Sequence, residues 1–193
     1  MAGGSLTAGR RLRAYLAFRA VNRRGLPDHD PGLQRHHLLP RQILTKGAFS
    51  RMFGEIGGTR RRFSDFRENG LLLPCEEMAA ARMGMPLHRG PHRHYSDLVF
   101  ERVGQIEATW GRARMRDCEG AAVQAHMRLD LLQCALRRFL LDSSKRRLVL
   151  NRRDPLRRDI DFSDLDAVAD AMWGATEADQ PMPMRPSSSS LAD

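Results

Sequence analysis

The sequence contains Arg35-His36-His37-Leu38-Leu39-Pro40, a pair of adjacent histidines followed by two leucines and a proline. Successive side chains of an extended segment point to opposite faces, so the two imidazole rings of the pair should face in different directions. One ring can then hold a divalent cation while its neighbour acts on water, because histidine is the natural base at neutral pH. The pair therefore indicates acid–base chemistry beside a metal.

A second group of histidines follows in His88-Arg89-Gly90-Pro91-His92-Arg93-His94-Tyr95. Pro91 suits the first position of a helix, which predicts that His92 lies in the first turn and His88 in the preceding loop. The positive end of the helix dipole disfavours a protonated ring, so His92 should stay neutral and able to bind metal. The intervening glycine would supply the bend that lets both rings converge, and His94 is an alternative to either ligand.

Between the two histidine groups stand Asn69-Gly70, a strong turn signal, and the apolar run Leu71-Leu72-Leu73. Three leucines between turn residues suit a short buried strand, and residues 33–39 also have strand character. We expect the Asn69 side chain to tie the backbone between the two halves of the site without touching the metal.

Helical spacing of apolar residues predicts that most of the remaining chain is helical. The last of the long helices carries an apolar stripe from Ala122 to Phe139, which suits a core or a dimer surface. The predicted helices cover residues 5–22, 42–56, 63–67, 76–83 with Gly84 at its end, 91–114, the stripe, and 163–173. Core positions are predicted at helical spacing in the 91–114 helix: Tyr95, Val99, Val103, Ile106 and Trp110.

The chain is strongly basic, with 32 Lys and Arg against 23 Asp and Glu and a formal net charge of +9. Such an excess favours a polyanionic partner, although genome composition alone can also enrich arginine. The three cysteines are widely spaced and suit a reducing compartment. Without a signal peptide or an apolar run of ~20 residues, a cytoplasmic protein with no membrane segment is expected. Export by a specialised route stays open.

Taken together, the three motifs resemble the AHH branch of the HNH endonuclease superfamily, which has the ββα-metal fold. The family pattern is HH-[apolar]-[apolar]-P, then NG-x-x-LP, then H-x-G-x-H-x-x-Y, and here it spans Gln34 to about Val103. One departure is clear, because Arg35 stands where the family name has alanine. A long insertion also separates the HH from the NG.

The resemblance implies a metal-dependent endonuclease and a role for each motif residue. His36, with His88 and His92, would bind one divalent metal ion, which could be Zn, Ni, Mn or Mg. His37 would be the general base that activates water, and Asn69 the structural asparagine.

The resemblance also implies a partner, which is nucleic acid, with DNA expected and RNA as the alternative. Arg35, Arg89 and Arg93 are candidates for phosphate contacts. A toxin role would add an immunity protein as a partner.

The predicted architecture is α+β, a mostly helical domain with an embedded ββα-metal nuclease finger. We expect a basic N-terminal helical segment at 1–30, the nuclease module at 31–115, a C-terminal helical extension at 116–176 and a disordered tail at 177–193. Two other functions fit the same residues. One is a non-catalytic nucleic-acid-binding protein with a histidine-bound structural metal, and the other is an interaction protein that uses its leucine stripe.

Overall fold

A two-stranded antiparallel sheet joins the histidine-pair segment to the Asn69-Gly70 segment in the computed structural model, which describes residues 14–90, 92–142, 150 and 167. Strand β1 covers Leu33–His37 and β2 covers Gly70–Pro74. The register pairs Leu33 with Pro74 and His37 with Gly70. Both predicted strands are therefore present, and the histidine pair ends the first one.

The described part of the segment before β1, residues 14–22, does not form the predicted helix. Residues 5–13 of the predicted range lie outside the described residues, and residues 14–22 contain one 3-10 turn at Phe18–Ala20 and no α-helix. Ala17 forms an isolated antiparallel bridge with Asp65, and the amide of Phe66 donates to the carbonyl of Leu16 at 2.7 Å. For residues 14–22 the prediction was wrong because these long-range partners take the backbone groups that a helix would have used internally.

Four short helical elements fill the insertion between the strands: a 3-10 turn at Arg41–Thr45, α1 at Gly47–Ile56, α2 at Thr59–Ser64 and α3 at Phe66–Asn69. The predicted helix over 42–56 is present, with its first turn as the 3-10 segment. Gly57 and Gly58 end it with φ of 67° and 61°, the left-handed region that favours glycine.

Asn69-Gly70 does not form the predicted turn between separate elements. Asn69 is the last residue of α3, and Gly70 has an extended φ of −110° that any residue could adopt. Glycine is required there by close packing, since a Cβ atom on Gly70 would overlap the ring of Phe66. The dipeptide therefore marks the point where a helix passes directly into β2.

Three helices follow the sheet: α4 at Glu77–Met83, α5 at Arg93–Ala113 and α6 at Cys118–Leu141. Gly84 closes α4 in the left-handed conformation, as predicted. His92 is the residue that caps α5 and not part of its first turn, so the predicted start was too early. Pro91, on which that prediction rested, lies outside the described residues.

Helices α5 and α6 pack against each other and bury the predicted apolar stripes. All five predicted core positions of α5 are buried: Tyr95, Val99, Val103, Ile106 and Trp110. The middle of the α6 stripe is buried as predicted, while its end residues Ala122 and Phe139 are only partly covered. These residues join Leu38 and Leu39, which follow β1, and Leu73 of β2 in one hydrophobic cluster. The fold class is thus α+β, as predicted.

Two predicted features fall mainly outside the described part of the chain. They are the last short helix over 163–173, of which only Ala167 is described, and the tail from residue 177. No helix within the described residues has the length and apolar character needed to cross a membrane.

The side chain of Asn69 fastens the end of β1 to the start of β2. It is fully buried, accepts from the amide of Leu39 at 2.7 Å and donates to the carbonyl of Leu39 at 2.9 Å. The side chain of Gln133 on α6 donates to the same Asn69 oxygen at 3.0 Å. One buried amide therefore holds the segment after the histidine pair, the second strand and the last long helix together.

We expect Asn69→Ala to lower the free energy of unfolding by roughly 2–4 kcal/mol, because it leaves several buried polar groups without partners. Urea denaturation followed by circular dichroism measures this change. Glu68→Ala is the matched control, since Glu68 is the exposed neighbour in the same helix, and it should change stability by less than about 0.5 kcal/mol. Equal effects of the two substitutions would contradict the role of the Asn69 amide.

Candidate active site and metal centre

Three histidines from three different places in the chain meet in one cluster. His36 comes from β1, His88 from the loop before α5, and His92 from the residue that caps α5. One ring nitrogen of each lies within 4.8 Å of the others. The ring centroids are 4.5 Å apart for His88 and His92, and 4.9 Å apart for His36 and His88. The structure therefore brings together the three residues that the sequence suggested as metal ligands.

The loop geometry explains why His88 and His92 converge. The amide of His88 donates to the carbonyl of Pro74 at 2.7 Å, which fixes the loop beside the end of β2. Gly90 then turns the chain with a φ of 78°. His94, the alternative ligand, is exposed on the first turn of α5 and is not part of the cluster.

The hydrogen bonds made by the His88 and His92 rings leave Nε2 of each ring available to bind a metal ion. Nδ1 of His88 donates to the side-chain oxygen of Gln34 at 3.3 Å, and Nδ1 of His92 donates to the carbonyl of Leu150 at 3.1 Å. An oxygen that only accepts fixes the proton on Nδ1, so Nε2 of each ring keeps its lone pair. A hydrogen bond from one ring nitrogen to an oxygen, with the other nitrogen left to bind the ion, is typical of histidines that bind metals.

The environment of His36, the third ring, also indicates a metal-binding site. His36 is 4% exposed, and its Nε2 is buried with no hydrogen-bond partner in the described part of the structure. A buried polar atom without a partner is unfavourable unless something else binds it. Three imidazole nitrogens with this arrangement fit a divalent cation.

His37 lies beside this cluster in a different environment. Its ring stacks on the ring of Phe18, with the centroids 3.8 Å apart and the planes within 4° of parallel. Neither ring nitrogen makes a hydrogen bond to another described residue. Among the described residues, His37 therefore belongs neither to the ligand cluster nor to a hydrogen bond of its ring nitrogens.

Burial and neighbouring positive charge keep these rings neutral. Burial, together with Arg41 and Arg35, lowers the pKa of His37 to about 4. Burial, together with His92 and His37, lowers the pKa of His88 to about 4. Burial also holds the pKa of His36 well below its ordinary value. At neutral pH these rings offer lone pairs instead of positive charges.

A cavity of about 570 Å³ opens over His37 and the histidine cluster. Two of the three predicted phosphate contacts, Arg35 and Arg93, line it, whereas the exposed Arg89 does not. Arg41 also lines it, although sequence reasoning did not single it out. The sequence feature that could have identified Arg41 is its position directly after the HHLLP motif. The remaining lining residues are polar, aromatic or proline: Pro40, Gln42, Tyr95, Ser96, Asp97 and Phe100.

Tyr95 supports the site from beneath. Its hydroxyl donates to the carbonyl of Leu38 at 2.6 Å, and its ring meets that of His36 edge-on at 4.9 Å. Complete burial raises the pKa of Tyr95, which keeps the hydroxyl protonated as a donor. The sequence predicted Tyr95 as core packing, and the structure adds this contact to the histidine strand.

Comparison with models of protein families identifies the family of this chain. Residues 18–128, more than half of the sequence, match the AHH model, described as a nuclease family of the HNH/ENDO VII superfamily with conserved AHH. The chain therefore belongs to this nuclease family, as the motifs indicated, with arginine in place of the alanine of the triplet. Comparisons with curated proteins and with solved structures gave no match.

Removing any one of His36, His88 and His92 should abolish tight metal binding, because two imidazoles cannot hold the ion as three can. We expect alanine at each position to lower zinc affinity by roughly 100-fold or more, and Gln34→Ala to lower it by roughly 10-fold. Isothermal titration calorimetry on the full chain measures both. His94→Ala removes an exposed imidazole two residues from His92 and should bind zinc like the wild type. A loss with His94→Ala would contradict the ligand set.

The lowered pKa of His88 predicts how stability depends on pH in the metal-free protein. An unfolded histidine takes up its proton near pH 6.5, whereas folded His88 does so only near pH 4. Between these values the unfolded state binds more protons, so stability is complete above about pH 6.5 and falls on acidification. We expect His88→Gln to reduce this fall between pH 7 and 4.5 by on the order of 1 kcal/mol. Denaturant titrations at each pH measure it, with His94→Gln as control, and identical slopes in all three proteins would refute the prediction.

Proposed function

We propose that this nuclease is a metal-dependent endonuclease that hydrolyses phosphodiester bonds of DNA, with His37 as its general base. The observation that carries the proposal is the different placement of neighbouring histidines, one inside the cluster of possible metal ligands and the other outside it. Three imidazoles converge on one point, while His37 stays outside the cluster and lines the same cavity. A non-catalytic metal site would have no need of the fourth ring.

His36, His88 and His92 would hold one divalent ion through ring nitrogens. The bound ion would supply Lewis-acid stabilisation of the negative charge that develops on the phosphate oxygens. A donor set made of three imidazoles suits Zn, Ni or Mn better than Mg.

His37 would take a proton from the attacking water at a ring nitrogen. The ring is neutral at physiological pH, because burial and the nearby arginines lower its pKa to about 4. One face is covered by Phe18, so the ring nitrogens on its edge are left to meet water or substrate. A base that acts on water does not require a 2′-hydroxyl on the substrate. The proposed reaction can therefore take place on DNA, which has no 2′-hydroxyl.

Arg35, Arg41 and Arg93 would position the nucleic-acid backbone across the cavity. Guanidinium groups form paired hydrogen bonds with phosphate oxygens, and such contacts orient the substrate without reading its sequence. Asn69 would act only through the backbone of Leu39 and lies away from the substrate. The toxin role and an immunity partner stay predictions from the sequence.

The rival function is a structural zinc site in a nucleic-acid-binding protein. Structural zinc sites are closed by four protein ligands, whereas catalytic sites keep an open position. The cluster has three donors within the described residues, and His37 is not among them. This arrangement favours catalysis.

The test is cleavage of supercoiled plasmid, and of single-stranded RNA of matched length, with Mg, Mn, Ni or Zn and with a chelator. We expect the wild type to nick the plasmid only with a divalent ion. His37→Ala should lose roughly 100- to 10,000-fold in rate, the usual contribution of a general base, while binding zinc as the wild type does. His94→Ala is the matched control and should cleave normally. Equal cleavage by His37→Ala, or cleavage with chelator, would refute the proposal.

A further inference from the structure

The ring of Phe18 is placed to set the orientation of His37. The two rings lie 3.8 Å apart and almost parallel, so the phenyl group covers one whole face of the imidazole. Rotation of a histidine ring about its second side-chain bond is normally only weakly restricted. A flat neighbour at van der Waals distance removes that freedom, because any rotation out of the plane would drive the imidazole into the phenyl ring.

Phe18 is itself held in place by contacts on the other side. Its ring meets the ring of Phe66 edge-on, with the centroids 5.1 Å apart and the planes at 75°. Phe66 in turn occupies the space over Gly70, the residue paired with His37 across the sheet. The glycine of the NG motif therefore leaves room for the aromatic pair that reaches the histidine.

The backbone of Phe18 is fixed by the residue that departs from the family pattern. Arg35, in the position of the family alanine, donates from Nη1 to the carbonyl of Phe18 at 2.9 Å. An alanine could not make this bond. The bridge between Ala17 and Asp65 holds the preceding residue, so the chain around Phe18 is anchored at two points.

We propose that Phe18 is a positioning residue that fixes the ring plane of His37, and that Arg35 holds Phe18 in place. This inference rests on the proposed function, because it assumes that His37 acts on water. General-base catalysis depends on the direction of the ring nitrogen, and a misplacement of about 1 Å can cost roughly 100-fold in rate. Losing the stack should therefore lower kcat, with little change in KM and none in metal affinity.

The experiment separates the flat ring from simple apolar bulk. Phe18→Leu keeps an apolar side chain but has no flat face, whereas Phe18→Tyr keeps the ring. We expect Phe18→Leu to lower kcat for plasmid cleavage by roughly 10- to 100-fold, with KM within about twofold and Phe18→Tyr near the wild type. Arg35→Ala should lower kcat less, by roughly threefold to tenfold, because the stack is weakened but not removed, and it should also raise KM because Arg35 lines the cavity as a proposed phosphate contact. Arg19→Ala removes the same charge from an exposed neighbour and should cleave like the wild type.

A spectroscopic measurement reports the stack without any reaction. In the metal-free, isotope-labelled full chain, the carbon-bound ring protons of His37 lie over the phenyl face and should resonate upfield of ordinary histidine positions. The signal is assigned by its disappearance in His37→Gln. It should move downfield in Phe18→Leu and stay in place in Phe18→Tyr, with the melting temperature and zinc affinity recorded for each variant.

The outcomes distinguish this inference from the proposed function. A wild type that cleaves nothing with any metal overturns the proposed function, and the positioning role with it. A wild type that cleaves, beside a Phe18→Leu variant with unchanged kcat and unchanged His37 resonances, overturns the positioning role alone. A loss of zinc affinity in Phe18→Leu equal to its loss in rate also overturns it, since the effect would then run through the metal ligands.

Discussion

The buried amide of Asn69 is the constraint on which the arrangement of the site depends. It accepts from the amide and donates to the carbonyl of Leu39, two residues after the histidine pair, and it receives a third bond from Gln133. A buried polar side chain with all these groups satisfied can adopt few other positions, because each broken bond leaves a desolvated group behind. These bonds therefore fix the relative positions of the sheet, the insertion and α6. Those positions in turn determine the direction in which the His36 side chain points.

A second constraint comes from the histidines themselves. Burial of His36 and His88 beside other imidazoles favours the neutral form of both rings, and it lowers the pKa of each. Neutral rings whose Nδ1 atoms donate to oxygen acceptors are ready to bind a cation without first losing a proton. The same environment leaves His37 uncharged and able to accept a proton.

Support for the site comes from well outside the two strands and α5. Phe18 covers His37 from the N-terminal side, and the carbonyl of Leu150 orients His92 from the C-terminal side. Gln133 lies beyond the residues that match the family model and still contacts Asn69. The histidines of the site are thus oriented by segments outside the two strands and α5, which agrees with the apolar core that joins the sheet region to α6.

The sequence by itself determined the histidine motifs, both strands, the helices with strong apolar stripes and the basic character, because these depend on residue types and spacing within short segments. Contacts between distant residues were decided by the tertiary structure alone. Residues 14–22 do not form the predicted helix because their backbone pairs with Asp65 and Phe66. Glycine is needed in Asn69-Gly70 for close packing with Phe66 and not for a turn. Only folding could place His88 and His92, and not His94, beside His36. Spacing alone could not choose among them, because the direction of each ring is set by partners such as Gln34 and Leu150 that lie 54 and 58 residues away along the chain.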